Sequence, residues 1–140
     1  MVTEANVTSD SNGDGVDDLA VGSYTDPVGG TNAGSLIILL MAADGQTVLS
    51  AKRFVPSGIS SDANFGTNVN PVGDLDGNGV TDLVVGAYGA TTESFWLVFL
   101  APDGSVKSSR RIHRGSDGLL HTGATHWGRQ AVLWPSTDPQ

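Results

Sequence analysis

Short apolar runs of strand length alternate along this chain with turns rich in glycine and aspartate. Two of these runs, Ser35 to Met41 and Phe95 to Leu100, are continuously apolar, and no run shows a long apolar stripe with the 3.6-residue period of a helix. Glycine accounts for 19 of the 140 residues and supplies the tight turns that connect short strands. The pattern predicts an all-β protein.

The chain also repeats itself. The stretch DSNGDGVDDLAVGS begins at Asp10, and DLDGNGVTDLVVGA begins 64 residues later, at Asp74. The similarity continues downstream: GSLIILLMAADGQTVLSAKRFV from Gly34 aligns with SFWLVFLAPDGSVKSSRRIH from Ser94 when one residue is omitted at the turn. Self-similarity at a long, fixed period is typical of repeat architectures.

Each repeat ends in a predicted hairpin. An Asp-Gly pair between two strand-like runs favours a tight turn, because the turn requires residues that tolerate positive φ. The apolar run before this pair suits an interior strand buried on both faces. The run after it is basic, and charged side chains protect exposed sheet edges, so we expect it to be the outermost strand. The two basic runs hold five of the seven basic residues: Lys52, Arg53, Lys107, Arg110 and Arg111.

A third, partial copy closes the chain. HWGRQAVLWPS from His126 shares its aromatic-glycine start and strand-like continuation with NFGTNVNPVGD from Asn64, but it has no acidic loop. Four strands in about 60 residues indicate four-stranded antiparallel β-propeller blades. Residues 1–63 are predicted to form the first blade and residues 64–125 the second. Residues 126–140 would supply the first strand of a third blade, or a swapped closing strand.

Charge and composition narrow the function classes. The net charge of −8 argues against nucleic acid or an anionic membrane surface as a partner, because its field repels phosphate. The absence of cysteine excludes disulfides and thiolate metal sites. No apolar run approaches the roughly 20 residues of a membrane helix. The start, MVTEANVTSD, lacks the regions of a signal peptide, so such a peptide was removed, or the chain is a fragment or a cytosolic protein.

The two acidic stretches are candidate calcium loops, at residues 10–18 and 74–82. Each places carboxylate or amide oxygens at positions 1, 3, 5 and 9, with glycines between them and a backbone carbonyl at position 7. Hard oxygen ligands on a tightly folded backbone are what Ca²⁺ requires. The predicted ligands are Asp10, Asn12, Asp14, Val16 and Asp18 in the first loop, and Asp74, Asp76, Asn78, Val80 and Asp82 in the second.

The same loops could instead be EF-hands, magnesium sites or metal-free turns. An EF-hand requires a bidentate Glu at position 12 between helices, whereas position 12 is Val21 or Val85 within a β-like run. Mg²⁺ is less suited, since it uses fewer protein ligands at shorter distances. Ordinary Asp- and Asn-rich turns without a metal remain an alternative. Three carboxylates crowded into a short loop repel one another, however, and this repulsion favours a bound cation.

The stretch FGTNVNPVGDLDGNGVTDLVVGAYGA resembles the FG-GAP repeat of integrin α-subunit β-propellers and their bacterial relatives. The resemblance covers the second copy fully, the first copy from Asp10 onward, and the third only at Trp127-Gly128. It implies calcium bound between the first and second strands of each blade, by the ligands named above. The proline of the "GAP" turn is replaced by Tyr24 and Tyr88, so this turn departs from the family's pattern.

The resemblance also implies a location and a class of partner. Family members are extracellular or on the cell surface, and they bind protein or glycan ligands mainly at the end of the propeller opposite the calcium loops. The corresponding connections here are residues 24–33, 57–64, 88–93 and 116–125. Propellers of this family have about seven blades, and two blades do not close a ring. We therefore expect a fragment of a larger propeller or a homo-oligomer, with three copies giving six blades or four copies giving eight.

The remaining chemistry-bearing residues indicate no enzyme. His113, His121 and His126 match no zinc-ligand spacing, and the basic stretch RRIHRG from Arg110 is explained by edge protection. Trp96 is expected in the core and Trp127 in the aromatic-glycine role, which leaves Trp134 as a candidate for a ligand-facing position. Acidic residues outside the loops are scattered, without the paired carboxylates of a glycosidase.

We therefore expect a non-catalytic, calcium-stabilised adhesion or recognition module. The alternatives are a non-catalytic propeller portion of a secreted polysaccharide-active enzyme and a purely structural, self-assembling repeat.

Overall fold

The computed structural model describes residues 4–89 and 94–113, and every regular element in these ranges is a β-strand. The all-β prediction is confirmed. Among these residues there is no helix with the length and hydropathy needed to cross a bilayer. The strands are β1 (Glu4–Ser9), β2 (Asp18–Ser23), β3 (Ser35–Met41), β4 (Val48–Phe54), β5 (Phe65–Gly73), β6 (Asp82–Ala87), β7 (Ser94–Leu100) and β8 (Val106–His113).

The strands form two four-stranded sheets in simple sequential order, β1-β2-β3-β4 and β5-β6-β7-β8. All neighbours within each sheet are antiparallel. This is the four-stranded blade that the repeat predicts, built twice, and two blades make an incomplete β-propeller. The basic strands β4 and β8 lie at the outer edges, as predicted, and β3 and β7 are interior.

The core lies between the two sheets. Side chains of β7 alternate between buried and half-buried, so Ser94, Trp96, Val98 and Leu100 face the first sheet. Phe95, Leu97 and Phe99 are only half-buried. The expectation that the apolar strands are buried on both faces was therefore wrong for β7, because only one of its faces packs against a described sheet. In β3, Ile37 and Leu39 are likewise only half-buried. The central buried apolar residues are Ala20, Leu36, Ile38, Leu40, Phe65, Val69, Leu83, Val85, Trp96, Val98 and Leu100.

Glycines allow the backbones of the two blades to approach closely. Gly34 makes an isolated parallel bridge with Phe65, and a Cβ on Gly34 would lie 2.0 Å from the Phe65 carbonyl oxygen. A Cβ on Gly22 would lie 2.2 Å from the carbonyl oxygen of Gly66. Real Cβ atoms do not tolerate such distances, so these positions require glycine for the blades to pack.

Several predictions fall outside the described residues. These are the third partial copy at residues 126–140, the connection at residues 116–125, residues 90–93 of the connection at 88–93, and the roles of His121, His126, Trp127 and Trp134. The blade boundaries at residues 63 and 125 remain predictions. Trp96 is 8% exposed and belongs to the core, as expected.

Candidate metal centre

The two acidic loops occupy the same place in their blades, between the first and second strands. In each loop the backbone closes around the aspartate at position 1. Asp74 Oδ1 accepts hydrogen bonds from the N–H groups of Gly77 at 2.8 Å and Asn78 at 3.0 Å, and Oδ2 accepts one from Gly79 at 2.7 Å. Gly77 and Gly79 have φ of 79° and 85°, which explains the glycines at these positions.

The first loop reproduces this arrangement. Asp10 Oδ1 accepts from Gly13 at 2.7 Å and from Asp14 at 3.0 Å, and Oδ2 accepts from Gly15 at 2.7 Å. Hydrogen bonds to the charged form, led by that from Gly15, lower the pKa of the Asp10 carboxyl. The two loops therefore share one backbone fold.

The aspartate at position 9 anchors each loop to the end of the third strand. Asp82 is fully buried, and its carboxylate accepts hydrogen bonds from Leu75 N at 2.8 Å and Leu100 N at 3.0 Å. Asp18 is equally buried and accepts from Ser11 N at 2.8 Å and Met41 N at 3.0 Å. A buried carboxylate requires such donors, so position 9 has a structural role whether or not an ion is bound.

The loops differ at positions 3 and 5. Position 3 is Asn12 in the first loop, where its Oδ1 accepts from Asp14 N at 3.1 Å. In the second loop it is Asp76, whose Oδ2 pairs with Lys107 Nζ at 2.5 Å. The Lys107 ammonium lowers the pKa of the Asp76 carboxyl.

Position 5 is Asp14 in the first loop and Asn78 in the second. Asp14 Oδ1 accepts from Val16 N at 2.8 Å, and Asn78 Oδ1 accepts from Val80 N at 3.0 Å. Asn78 Nδ2 also donates to the Leu100 carbonyl at 2.8 Å. Both loops thus have three carboxylates at the predicted ligand positions, but these are positions 1, 5 and 9 in the first loop and positions 1, 3 and 9 in the second.

The second loop gathers its carboxylates tightly. Oxygens of Asp74, Asp76 and Asp82 all lie within 4.8 Å of one another. Calcium binds oxygen at about 2.3–2.6 Å, so ligands on opposite sides of the ion lie about 5 Å apart, and this donor set fits calcium. Within residues 4–89 and 94–113 this is the only such group of three acidic, histidine or cysteine side chains, and the first loop does not form one.

The other end of the blades carries a cavity of about 300 Å³. It lies between the β4–β5 connection, including Ser57 and Ser60, and the edge where β7 begins and β8 ends. Trp96 and Arg111, which pair across β7 and β8, also line it, and Arg111 Nε donates to Ser94 Oγ at 3.2 Å. The sequence predicts Trp96 in the core but does not indicate this cavity, because the β4–β5 connection carries no distinctive pattern.

Comparisons with known proteins agree with this architecture. Residues 65–106 match the FG-GAP repeat family. The chain is also 36% identical over 85 residues to integrin alpha-PS2 of Drosophila melanogaster, an alignment that covers 57% of this chain and 6% of that protein. The chain thus spans a small part of the length of this relative. The repeat, the sheet order and these matches together show that the chain carries an integrin-like FG-GAP repeat within an incomplete β-propeller.

Proposed function

We propose that the chain is a calcium-binding, integrin-like propeller module that serves adhesion or recognition and has no catalytic activity. The observation that carries the proposal is the cluster of Asp74, Asp76 and Asp82 oxygens within 4.8 Å. With Asn78 Oδ1 and the Val80 carbonyl they would form the second site. Asp10, Asn12, Asp14, Val16 and Asp18 would form the first.

Hydrogen bonds within each loop orient its carboxylates before any ion binds. Backbone N–H groups orient the carboxylates at positions 1 and 9. In the second loop, Asp74 Oδ2 and each oxygen of Asp82 accept one of these hydrogen bonds, so each of these three oxygens keeps a second lone pair for a cation. Bound calcium would supply the positive charge that lets the remaining carboxylates converge. In the first loop, the Asp14 carboxylate would exchange its hydrogen bond to Val16 N for the ion.

The recognition surface is proposed at the end opposite the calcium loops. The connections at residues 24–33 and 57–64 lie there, beside the cavity lined by Trp96 and Arg111. A protein or glycan ligand outside the cell is the partner class we propose. Further blades would come from the rest of a longer chain or from additional copies in a ring of six or eight blades.

Calcium-dependent thermal stability tests the metal sites. Calcium at about one hundred times its dissociation constant should stabilise the fold by about 2.7 kcal/mol per site, and a chelator should reverse the rise in melting temperature. Asp14→Ala and Asp76→Ala each remove one predicted ligand while leaving the position 1 and position 9 hydrogen bonds intact. Each should reduce the calcium-induced rise.

Asp17→Thr provides the matched control. Asp17 is an exposed carboxylate inside the first loop that is not a predicted ligand, and the second loop has Thr81 at this position. The calcium-induced rise in melting temperature of the Asp17→Thr variant should equal that of the unmodified chain. A melting curve that is identical in calcium and in chelator would refute the calcium sites.

A glycan and extracellular-protein array probed with the full chain, in calcium and in chelator, tests the recognition role. Binding should require calcium and should be lost when Arg111 is replaced by Ala. Cleavage of an arrayed polysaccharide would contradict the non-catalytic assignment.

A further inference from the structure

We propose that Lys107 is a built-in competitor of calcium at the second loop. This inference rests on the proposed calcium function and concerns how one of its two sites is tuned. The Lys107 ammonium lies 2.5 Å from Asp76 Oδ2, and Asp76 belongs to the three-carboxylate cluster. A cation from the protein's own edge strand thus contacts the carboxylate that calcium would use.

The first blade lacks this cation. The last pair between the third and fourth strands aligns the two blades: it is Leu100 with Val106 in the second blade and Met41 with Val48 in the first. The residue that follows this valine is Lys107 in the second blade and Leu49 in the first. The position equivalent to Lys107 is therefore a leucine that is 62% exposed. The first loop also has the neutral Asn12 where the second has Asp76. The carboxylate and the lysine occur together in one blade, and the amide and the leucine occur together in the other.

Charge compensation explains the pairing. Lys107 neutralises part of the second cluster when no ion is bound, and this holds the three carboxylates together. Calcium at the same oxygens would meet a nearby positive charge, so the ammonium must move away for the ion to bind. The side chain of Lys107 is 47% exposed, so it is free to swing into solvent at small cost. The second loop should therefore be ordered without calcium and bind calcium more weakly than its ligands alone would allow.

A calcium titration by calorimetry on the full chain tests the inference. The Asp14→Ala background weakens the first loop and isolates binding at the second. In this background Lys107→Leu should tighten calcium binding by about three- to tenfold, as expected for removing a partly solvated like charge. Lys52→Leu is the matched control, because Lys52 is a similarly exposed lysine on β4 that pairs with Asp103 at 3.3 Å instead of a loop ligand. It should change the affinity less than twofold.

Thermal unfolding gives a second measurement. Without calcium, Lys107→Leu should lower the melting temperature, since the carboxylates lose their counter-charge, and the calcium-induced rise should become larger. In the first loop, Asn12→Asp together with Leu49→Lys should bind calcium more weakly than Asn12→Asp alone.

The outcomes separate the two proposals. If the unmodified chain binds calcium and Lys107→Leu leaves its affinity unchanged or lowers it, the role of Lys107 is overturned and the calcium sites stand. No binding by either the unmodified chain or Lys107→Leu would overturn both.

Discussion

Gly66 shows at the scale of one residue why the aromatic-glycine pair begins the repeat. Phe65 is fully buried between the sheets, and Gly66 lies against the backbone of the preceding blade. With φ of 94°, Gly66 adopts a conformation that favours glycine, and a Cβ there would lie 2.6 Å from the Ser35 carbonyl oxygen. The phenylalanine fills the core while the glycine lets the blades touch, so the pair acts as one packing unit.

Replacing Gly66 by alanine should be among the most damaging small substitutions in the chain. Left-handed backbone costs a non-glycine residue about 1–2 kcal/mol, and the steric overlap adds about 1–3 kcal/mol. Gly45→Ala is the control, because Gly45 has φ of 70° but open space around it. This variant should lose only the about 1–2 kcal/mol that the left-handed backbone costs. Urea unfolding of both variants measures the difference, and equal losses would show that blade contact at Gly66 is unimportant.

The acidic residues show where sequence reasoning about the site reached its limit. The place of the two loops, between the first and second strands of each blade, could be predicted because the same pattern occurs twice, and the assignment of their ligands stays a prediction. Repulsion among the crowded carboxylates, which favours a bound cation, is weaker than the sequence indicates. In the structure, backbone N–H groups and Lys107 already compensate these charges. These partners come from backbone turns and a neighbouring strand, which a linear pattern does not reveal.

At the scale of the element, the Asp-Gly turns between the third and fourth strands are stabilised by their own side chains. Thr47 Oγ1 donates to Asp44 Oδ2 at 2.6 Å, and the N–H groups of Gln46 and Thr47 donate to Asp44 Oδ1. These bonds, led by that of the Thr47 hydroxyl, lower the pKa of Asp44 to about 2. In the second blade, Ser105 does the same for Asp103 and lowers its pKa to about 2.

Acid should weaken this turn over a defined pH range. Because the pKa of Asp44 falls from 3.8 to about 2 on folding, its contribution to stability is full above about pH 4 and disappears as the pH drops toward 2. Thr47→Val removes the hydroxyl donor, so it should lower the melting temperature at pH 5 but much less at pH 2. Measurements in chelator exclude calcium effects. Ser108→Ala, an exposed edge-strand control, should show no such pH dependence, and a Thr47→Val effect that persists at pH 2 would contradict the assignment.

The strands themselves were largely predictable, and their irregularities were not. Repetition, Asp-Gly turns and basic edge runs were enough to predict four-stranded blades in sequential order. The register shifts near the end of the apolar strands, between Leu40 and Met41 and between Phe99 and Leu100, had no sequence signal. Burial on one face of β7 depends on which sheet packs beside it, and an apolar run alone does not specify that.

At the scale of the whole molecule, a few aromatic and charged contacts join the blades. Phe65 packs edge-on against Phe54 of the first blade, with ring centroids 6.1 Å apart, and against Trp96 of its own blade at 6.0 Å. Lys52 reaches Asp103 across the blades at 3.3 Å, but both side chains are substantially exposed, so the ion pair contributes little. Apolar packing and close backbone contact at glycines therefore determine how one blade stacks on the next.

The same stacking should be available to further blades on the outer face of the second. Phe95, Leu97 and Phe99 point away from the first blade and are half-buried, although their strand is as apolar as β3. If copies complete the ring, light scattering should give a particle of three or four chains rather than the single-chain mass of 14.4 kDa. Leu97→Glu should reduce that mass, since a charge would oppose burial of this face, whereas Leu49→Glu, on the exposed edge strand, should not. A 14.4 kDa particle in calcium would rule out self-assembly and leave completion by the rest of a longer chain.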